Sequence, residues 1–159
     1  MSVRVRSDRR YRFAVSPERL WERMTSVEEY RTWWPWLHGL EADAFVTGAS
    51  WACVIQPPVP YALRFDLELL AVEAPTLAVA RLEGDIVGDA SLDVTEVGGG
   101  VQARLVSDLA PGNRMLRVVA GLARPVARFG HDWVLDTGAR QFREHALPPE
   151  PEPEHAVRR

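Results

Sequence analysis

The sequence predicts an α+β fold in which an antiparallel β-sheet of about seven strands curves around one long C-terminal helix. Between residues 40 and 111, apolar and polar side chains alternate in short runs separated by turns, as in antiparallel strands. After Gly112 the apolar repeat changes from two residues to about 3.5, which is typical of an amphipathic helix. One strand and two short helices precede this region, so residues 1–147 are expected to form a single domain.

Local patterns predict the first strand and the two short helices. Alternate positions of the strand are apolar: Tyr11, Phe13 and Val15. Ser16 suits an N-cap and Pro17 suits a first helical turn, so a helix is expected to begin at Pro17. Ser26 and Glu29 have the spacing of a capping box, which predicts a second helix. Pro35 ends that helix, because the residue before a proline disfavours helical geometry.

The middle of the chain is expected to form an antiparallel meander. Its clearest strand has apolar residues at every second position: Tyr61, Leu63, Phe65, Leu67 and Leu69. A second such row follows the turn at residues 98–100: Val101, Ala103, Leu105, Ser107 and Leu109. Short turns between successive strands favour antiparallel pairing of neighbours.

The C-terminal helix is expected to continue to about Ala146, roughly 50 Å, with a kink at Pro125. Large apolar side chains recur at intervals of three and four residues and are expected to face the sheet: Met115, Val119, Leu122, Val126, Phe129 and Trp133. His131 lies about 180° from the centre of that face, so it points away unless a kink at Pro125 or Gly130 turns it inward. Residues 148–159 are rich in proline and glutamate and are expected to form an extended or disordered tail.

The composition excludes several classes of function. The chain has 159 residues, a net charge of -3 and a pI of about 5.8, which indicates neither nucleic acid nor anionic membrane as a partner. All 19 basic residues are arginines, so lysine Schiff-base chemistry is excluded. The single cysteine, Cys53, permits neither an intrachain disulfide nor a cysteine-rich zinc site. The sequence contains no signal-peptide pattern and no membrane-spanning segment, which indicates a cytoplasmic protein.

Three segments of the sequence carry a family resemblance. Residues 11–21 are YRFAVSPERLW, residues 26–34 are SVEEYRTWW and residues 124–135 are RPVARFGHDWVL. In this order they resemble the START-like helix-grip superfamily (SRPBCC), in particular its polyketide cyclase/dehydrase branch. The resemblance covers about residues 3–147, although Gly130 and Leu135 replace an Asn and a Met of the family pattern. It implies a sheet that grips the long helix around a cavity for a hydrophobic molecule.

Large apolar residues expected around that space are the predicted ligand-binding residues. Aromatic rings bury large areas and stack on planar ligands. The alternative is that these side chains simply fill the core. The predicted residues are Trp33, Trp34, Trp51, Tyr61, Phe65, Leu122, Val126, Phe129 and Trp133.

Three residues are candidates for catalysis. If Arg81 or Glu83 points inward, it could bind a ligand carbonyl or transfer a proton; the alternative is an outward or paired charge. His131 titrates near neutral pH. Asp132 is not expected to orient it, because adjacent residues on a helix do not face each other. Neither a metal site nor a cofactor is predicted, since the four histidines lack ligand spacing.

These features predict a domain that binds a hydrophobic small molecule, such as an aromatic polyketide, an isoprenoid or a lipid-like compound. If it is an enzyme, the resemblance implies cyclase or dehydrase activity, in which the cavity holds a flexible substrate in its cyclising shape. One alternative is a non-catalytic carrier or sensor, which needs the cavity but no acid–base group. The other is a protein-interaction domain that uses Trp33, Trp34 and Trp36 as an exposed edge.

Overall fold

The computed structural model describes residues 4–122 and 124–147, apart from the side chain of Arg124. The tail predicted at residues 148–159 lies outside the described residues. The elements follow in the order β1 (Val5–Phe13), α1 (Pro17–Met24), a 3-10 turn (Val27–Glu29), α2 (Tyr30–Trp33), β2 (Leu37–Glu41), β3 (Ser50–Ile55), β4 (Leu63–Glu73), β5 (Leu77–Gly84), β6 (Ile86–Val97), β7 (Gly100–Pro111), α3 (Arg114–Leu122) and α4 (Arg124–His145).

The seven strands form one antiparallel sheet in the order β1-β7-β6-β5-β4-β3-β2, which confirms the predicted architecture. Each strand from β2 to β6 pairs with the next along the chain, and β1 pairs with β7 from Val5 opposite Leu109 to Phe13 opposite Val101. Register shifts interrupt β2 after Leu37 and β4 after Leu69. Bulges of this kind increase local bending and twist, which helps the sheet to curve.

One of the two predicted helix starts is confirmed. Ser16 caps α1, because its Oγ accepts a hydrogen bond from the backbone N–H of Arg19 at 3.2 Å. Ser26 forms no such cap. Its hydroxyl instead donates to the carbonyl of Glu22 at 3.2 Å, one turn back, and competes with the capping geometry. The chain therefore forms a 3-10 turn before α2, and Trp34 leaves the helix in an extended conformation, as Pro35 requires.

The C-terminal segment is helical from Arg114 to Leu122 and from Arg124 to His145, as predicted. Ala123 lies outside the described residues, and the kink at Pro125 stays a prediction. The predicted inward face is wrong, because four of its members are exposed: Met115, Leu122, Val126 and Phe129. The buried face is composed largely of smaller residues: Leu116, Ala120, Gly130, Thr137, Gly138, Phe142 and Ala146. Small side chains let the helix approach the sheet and leave space beside it.

The tightest part of the core lies where α2 meets the C-terminal half of α4. Trp33 is 2% exposed, and its ring centroid lies 5.5 Å from that of Phe142. Phe142 also packs edge-on against Phe13 of β1 at 5.6 Å. The aromatic cluster therefore anchors one end of α4 to the sheet. No helix within the described residues is both long and apolar enough to cross a bilayer.

Candidate functional site

A cavity lies between the concave face of the sheet and α4, and it has two parts of about 290 Å³ and about 410 Å³. The first part extends under α3, and the second extends towards α2. The two parts are adjacent, because six apolar residues line both of them: Ile55, Phe65, Leu67, Leu105, Val134 and Leu135. Volumes in this range are typical of small-molecule sites.

The first part is apolar except for a few groups, of which Ser107 and His131 face each other. Leu105, Ser107 and Leu109 occupy alternate positions of β7 and face the cavity. The alternation of side chains along the strand therefore places one hydroxyl group in a wall that is otherwise apolar. Ser107 is 5% exposed, and its Oγ lies 3.3 Å from His131 Nε2 across the gap between β7 and α4. Ser7, opposite Ser107 on β1, is also buried, and its Oγ has no hydrogen-bond partner among the described residues.

Asp132 holds the other side of the His131 ring. Its Oδ1 lies 3.3 Å from His131 Nδ1, and the same oxygen accepts a hydrogen bond from Arg9 at 3.0 Å. Arg128, one helical turn earlier, lies 3.5 Å from Oδ2. Burial disfavours the charge of Asp132, but hydrogen bonds from His131 and Arg9 and the charges of Arg9 and Arg128 keep its pKa below the ordinary value.

This arrangement defines the protonation state of His131. Burial lowers its pKa below the ordinary value, and Arg128 and Arg9 add to this effect, while Asp132 opposes it. The neutral ring is therefore favoured. A neutral ring that donates from Nδ1 to Asp132 has its lone pair on Nε2, facing Ser107. His131 can thus accept a proton on the cavity side.

Two expectations about His131 are corrected by this geometry. The ring points inward because the buried face of the C-terminal segment is the one opposite to Met115 and Leu122, which are exposed, and His131 lies on that buried face. Asp132 does contact the ring, although the two residues are adjacent on the helix. Arg9 reaches Asp132 from β1 and helps to hold its carboxylate beside His131.

The second part of the cavity is lined mainly by aromatic and aliphatic side chains. The Tyr11 hydroxyl donates to Asp136 Oδ1 at 2.9 Å, and burial together with this hydrogen bond raises the pKa of Tyr11. Burial, aided by the charge of Asp66, raises the pKa of the Cys53 thiol to about 12. Cys53 is therefore a wall residue in its thiol form and a poor nucleophile.

The structure brings together only some of the predicted ligand-binding residues. Tyr61, Phe65 and Val126 line the first part of the cavity, and Trp34, Trp51 and Phe65 line the second. Four predicted residues are absent from both linings. Trp33 is buried in the core and Trp133 packs on Trp36, whereas Leu122 and Phe129 are 86% and 56% exposed.

Arg81 and Glu83 do not face the cavity. Both are exposed on the outer face of β5, while Leu82 between them points inward. Arg81 Nε lies 3.4 Å from Asp89 on the neighbouring strand. The strand period therefore supports the alternative of outward charges, and His131 is the one candidate of the three that reaches the cavity.

The tryptophan-rich segment does not form an exposed edge. Trp34 Nε1 donates to the carbonyl of Gly138 at 2.9 Å, and Trp36 Nε1 donates to Gln141 Oε1 at 2.9 Å. A Cβ at Gly138 would lie 3.3 Å from the Trp36 ring, which explains the glycine. These indoles attach β2 and α2 to α4, so their role is structural packing beside the cavity.

Asp85 closes the end of the cavity that lies beneath α3. Its Oδ2 accepts from the backbone N–H of Arg64 at 2.9 Å, and its Oδ1 accepts from Asn113 Nδ2 at 2.9 Å. Asn113 in turn caps α3 by accepting from the backbone N–H of Leu116 at 2.8 Å. One carboxylate therefore links the start of β4, the turn between β5 and β6 and the start of α3.

Replacing Asp85 by Ala should lower the free energy of unfolding by about 1–3 kcal/mol, because two hydrogen-bond donors lose their acceptor. Urea unfolding followed by tryptophan fluorescence measures the change. Asp89→Ala is the matched control, since Asp89 is exposed and pairs only at the surface with Arg81, and it should change stability by less than about 1 kcal/mol. Equal effects of the two variants would contradict the linking role of Asp85.

The lowered pKa of His131 predicts a pH dependence of stability. The unfolded chain protonates this histidine near pH 6.5 and the folded protein only at lower pH, so protonation favours the unfolded state. Stability should fall as pH decreases from about 7 into this window. His131→Asn should flatten that part of the urea-unfolding profile, and His38→Asn, which removes an exposed histidine, is the control. An unchanged slope in His131→Asn would refute the assignment.

Comparison with known proteins supports the fold. No protein-family model and no curated protein sequence matches the chain. The di-domain ARO/CYC protein BexL from the BE-7585A biosynthetic pathway matches with a TM-score of 0.73 at 9% identity; the match covers 92% of this chain and 51% of BexL, so the chain spans about half of that protein. Ara h 8.0201 matches with a TM-score of 0.65 at 9% identity over 91% of this chain and 99% of its own.

A third structure is norcoclaurine synthase from Thalictrum flavum in complex with dopamine and hydroxybenzaldehyde. It matches with a TM-score of 0.58 at 14% identity over 92% of this chain and 91% of its own. These identities are low, but the superpositions extend over nearly the whole chain and include the curved sheet and the long helix. The chain therefore shares the helix-grip fold with these three structures.

Proposed function

We propose that this protein binds one hydrophobic small molecule in the cavity between the sheet and α4. The observation that carries the proposal is the pair of adjacent apolar spaces, of about 290 and 410 Å³, with shared walls. An apolar cavity of this size favours a hydrophobic ligand, because burying its apolar surface removes that surface from water. The side chains of the six residues shared by both parts form no hydrogen bond with such a ligand. The ligand classes that fit are an aromatic polyketide, an isoprenoid or a lipid-like molecule.

The polar pair at one wall specifies the ligand further. Ser107 and His131 lie 3.3 Å apart, at the long end for a hydrogen bond, so a ligand hydroxyl beside the pair can hydrogen-bond to both. Such a hydroxyl would accept from Ser107 Oγ and donate to Nε2 of His131, while the remainder of the ligand contacts Leu105 and Phe65. The preferred ligand is therefore mostly apolar with one hydrogen-bonding group near an end.

A second candidate function is proton transfer in a cyclisation or dehydration. The contact of Asp132 with Nδ1 of His131 favours it, because this contact leaves Nε2 ready to accept a proton. In a dehydration, Nε2 would take a proton from the carbon beside a carbonyl and return it to the departing hydroxyl, which leaves as water. BexL, an ARO/CYC protein, and norcoclaurine synthase share the fold, which is consistent with chemistry in such a cavity.

Titration of the protein with 2-naphthol and with a long-chain fatty alcohol tests the binding function. Each probe is mostly apolar and has one hydroxyl. Isothermal calorimetry should give one site, and the melting temperature should rise with ligand concentration. Native mass spectrometry of protein isolated from its original host should reveal an additional mass that organic solvent releases. Absence of binding by every probe and absence of an additional mass would refute the proposal.

The variant His131→Asn separates the two functions. If the protein only carries its ligand, the bound compound is recovered unchanged and the variant alters affinity alone. If the protein catalyses proton transfer, product formation falls by at least about 100-fold in His131→Asn while the apolar part of the ligand still binds. Arg81→Ala is the control, because Arg81 lies on the outer face of the sheet and should affect neither quantity.

A further inference from the structure

Exposed large apolar side chains are concentrated in one segment of the chain. Six such side chains are strongly exposed among the described residues, and Val46 is the only one outside the segment 115–129. The five inside it are Met115, Val118, Leu122, Val126 and Phe129. Isolated exposed apolar residues are ordinary, but a concentration of this kind marks an interaction surface.

The helix α3 has two apolar faces with different surroundings. Leu116 and Ala120 are buried and line the first part of the cavity. Met115, Val118 and Leu122 are spaced by three and four residues, so they share another side of the helix, and they are 65%, 60% and 86% exposed. The inner face covers the cavity, whereas packing within the described part of the chain does not account for the outer face.

The same segment carries charge of one sign. Between Asp108 and Asp132 there is no acidic residue, and four arginines occur there: Arg114, Arg117, Arg124 and Arg128. Arg114 and Arg117 are exposed, and no carboxylate of residues 4–122 and 124–147 forms an ion pair with either. The overall charge of -3 therefore conceals a local basic segment.

We propose that the outer face of α3 is a docking surface for an anionic lipid bilayer. Basic side chains beside protruding apolar ones are the pattern of helices that lie in the membrane interface. Arg114 and Arg117 would bind lipid phosphates and carboxylates, and Met115, Val118 and Leu122 would enter the boundary between headgroups and acyl chains.

Geometry favours a bilayer over a protein partner. The three apolar side chains protrude from the helix, and none of them lines either part of the cavity. A fluid bilayer accommodates protruding side chains of any shape, whereas a folded partner needs hollows that match them. Docking would place α3, which covers the cavity, at the lipid surface. A role of this placement in the exchange of ligand between cavity and bilayer rests on the proposed function, whereas the docking itself does not.

Co-sedimentation of the full chain with lipid vesicles tests the proposal. We expect binding to vesicles of phosphatidylcholine mixed with phosphatidylserine, weak binding to phosphatidylcholine alone, and loss of binding at high salt. Each arginine near an anionic surface contributes about fivefold, so Arg114→Glu/Arg117→Glu should reduce partitioning by about 25-fold or more. Leu122→Glu should reduce it by about tenfold, because it places a charge where an apolar side chain enters the interface.

Two matched controls isolate the surface. Val46→Glu changes the exposed apolar residue outside the segment, and Arg10→Glu/Arg31→Glu makes the same charge change at exposed arginines elsewhere. Both should bind vesicles like the wild type, and circular dichroism should show that every variant is folded. Ligand titration of the same variants reports on the cavity separately.

Several results would overturn the proposal. One is no binding to anionic vesicles at low salt, and another is equal binding to both vesicle types. Binding that is insensitive to Leu122→Glu and to the double arginine variant would do so as well. A dimer that Leu122→Glu dissociates, or retention of the protein by polyglutamate without vesicle binding, would assign the surface to a second copy or to an acidic protein.

Discussion

Replacing Val134 by Trp should abolish binding of hydrophobic ligands while the protein remains folded. Val134 lies on α4 and walls both parts of the cavity, so an indole at this position would occupy the space that the ligand needs. We expect the dissociation constant for 2-naphthol to rise by at least about 100-fold, equivalent to about 2.8 kcal/mol. Overpacking should cost the fold no more than about 1–3 kcal/mol, because the added atoms enter empty space.

Isothermal calorimetry and urea unfolding of the same preparation measure both effects. Val46→Trp is the control, because it adds the same side chain at an exposed position remote in sequence from α4. It should bind the ligand like the wild type. A folded Val134→Trp protein with unchanged affinity would place the ligand elsewhere and refute the cavity as the binding site.

Replacing Trp33 by Ala should destabilise the protein by about 3–5 kcal/mol, the cost of a large buried aromatic residue. Trp33 is 2% exposed and contacts the rings of Tyr30, Trp34 and Phe142 at centroid distances of 5.5–5.8 Å. The Arg23 guanidinium also lies over it at 5.1 Å. Truncation would therefore remove the contacts that attach α2 to the C-terminal half of α4.

Chemical unfolding with urea, followed by far-ultraviolet circular dichroism, measures this loss. Trp133→Ala is the comparison, because Trp133 is only partly buried and contacts Trp36 at 6.3 Å. Trp133→Ala should lower the free energy of unfolding clearly less than Trp33→Ala does. If the two variants lose the same stability, or if Trp33→Ala unfolds like the wild type, the core is not centred on Trp33.

Patterns of period two predicted the sheet well. In β4, Leu63, Phe65 and Leu67 all line the cavity, and the charged residues between them are exposed. The strand alternation also placed Ser107 on the inward face of β7, which is where it meets His131. In a strand, successive side chains must point to opposite faces, so local spacing is sufficient to assign them.

The pattern of the C-terminal helix was misleading for a physical reason. Large apolar residues such as Leu122 and Phe129 usually indicate the buried face of a helix, but here they are exposed. The inward face consists instead of residues such as Gly130 and Gly138, because a helix that borders a cavity and packs on tryptophans needs small side chains. Hydropathy ranks such residues low, so a search for the most apolar face could not find them.

The amino-acid sequence and the tertiary structure account for different properties of this protein. Composition, turn residues and side-chain periodicity suffice for the order of strands and helices, the antiparallel meander and the absence of lysine and disulfide chemistry. The rotation of α4, the contact of His131 with Ser107 and Asp132, and the exposure of α3's outer face arise only when distant segments pack. Those features depend on which face of α4 meets the sheet and on partners such as Arg9, more than 100 residues away in the chain, and local sequence carries no information about either.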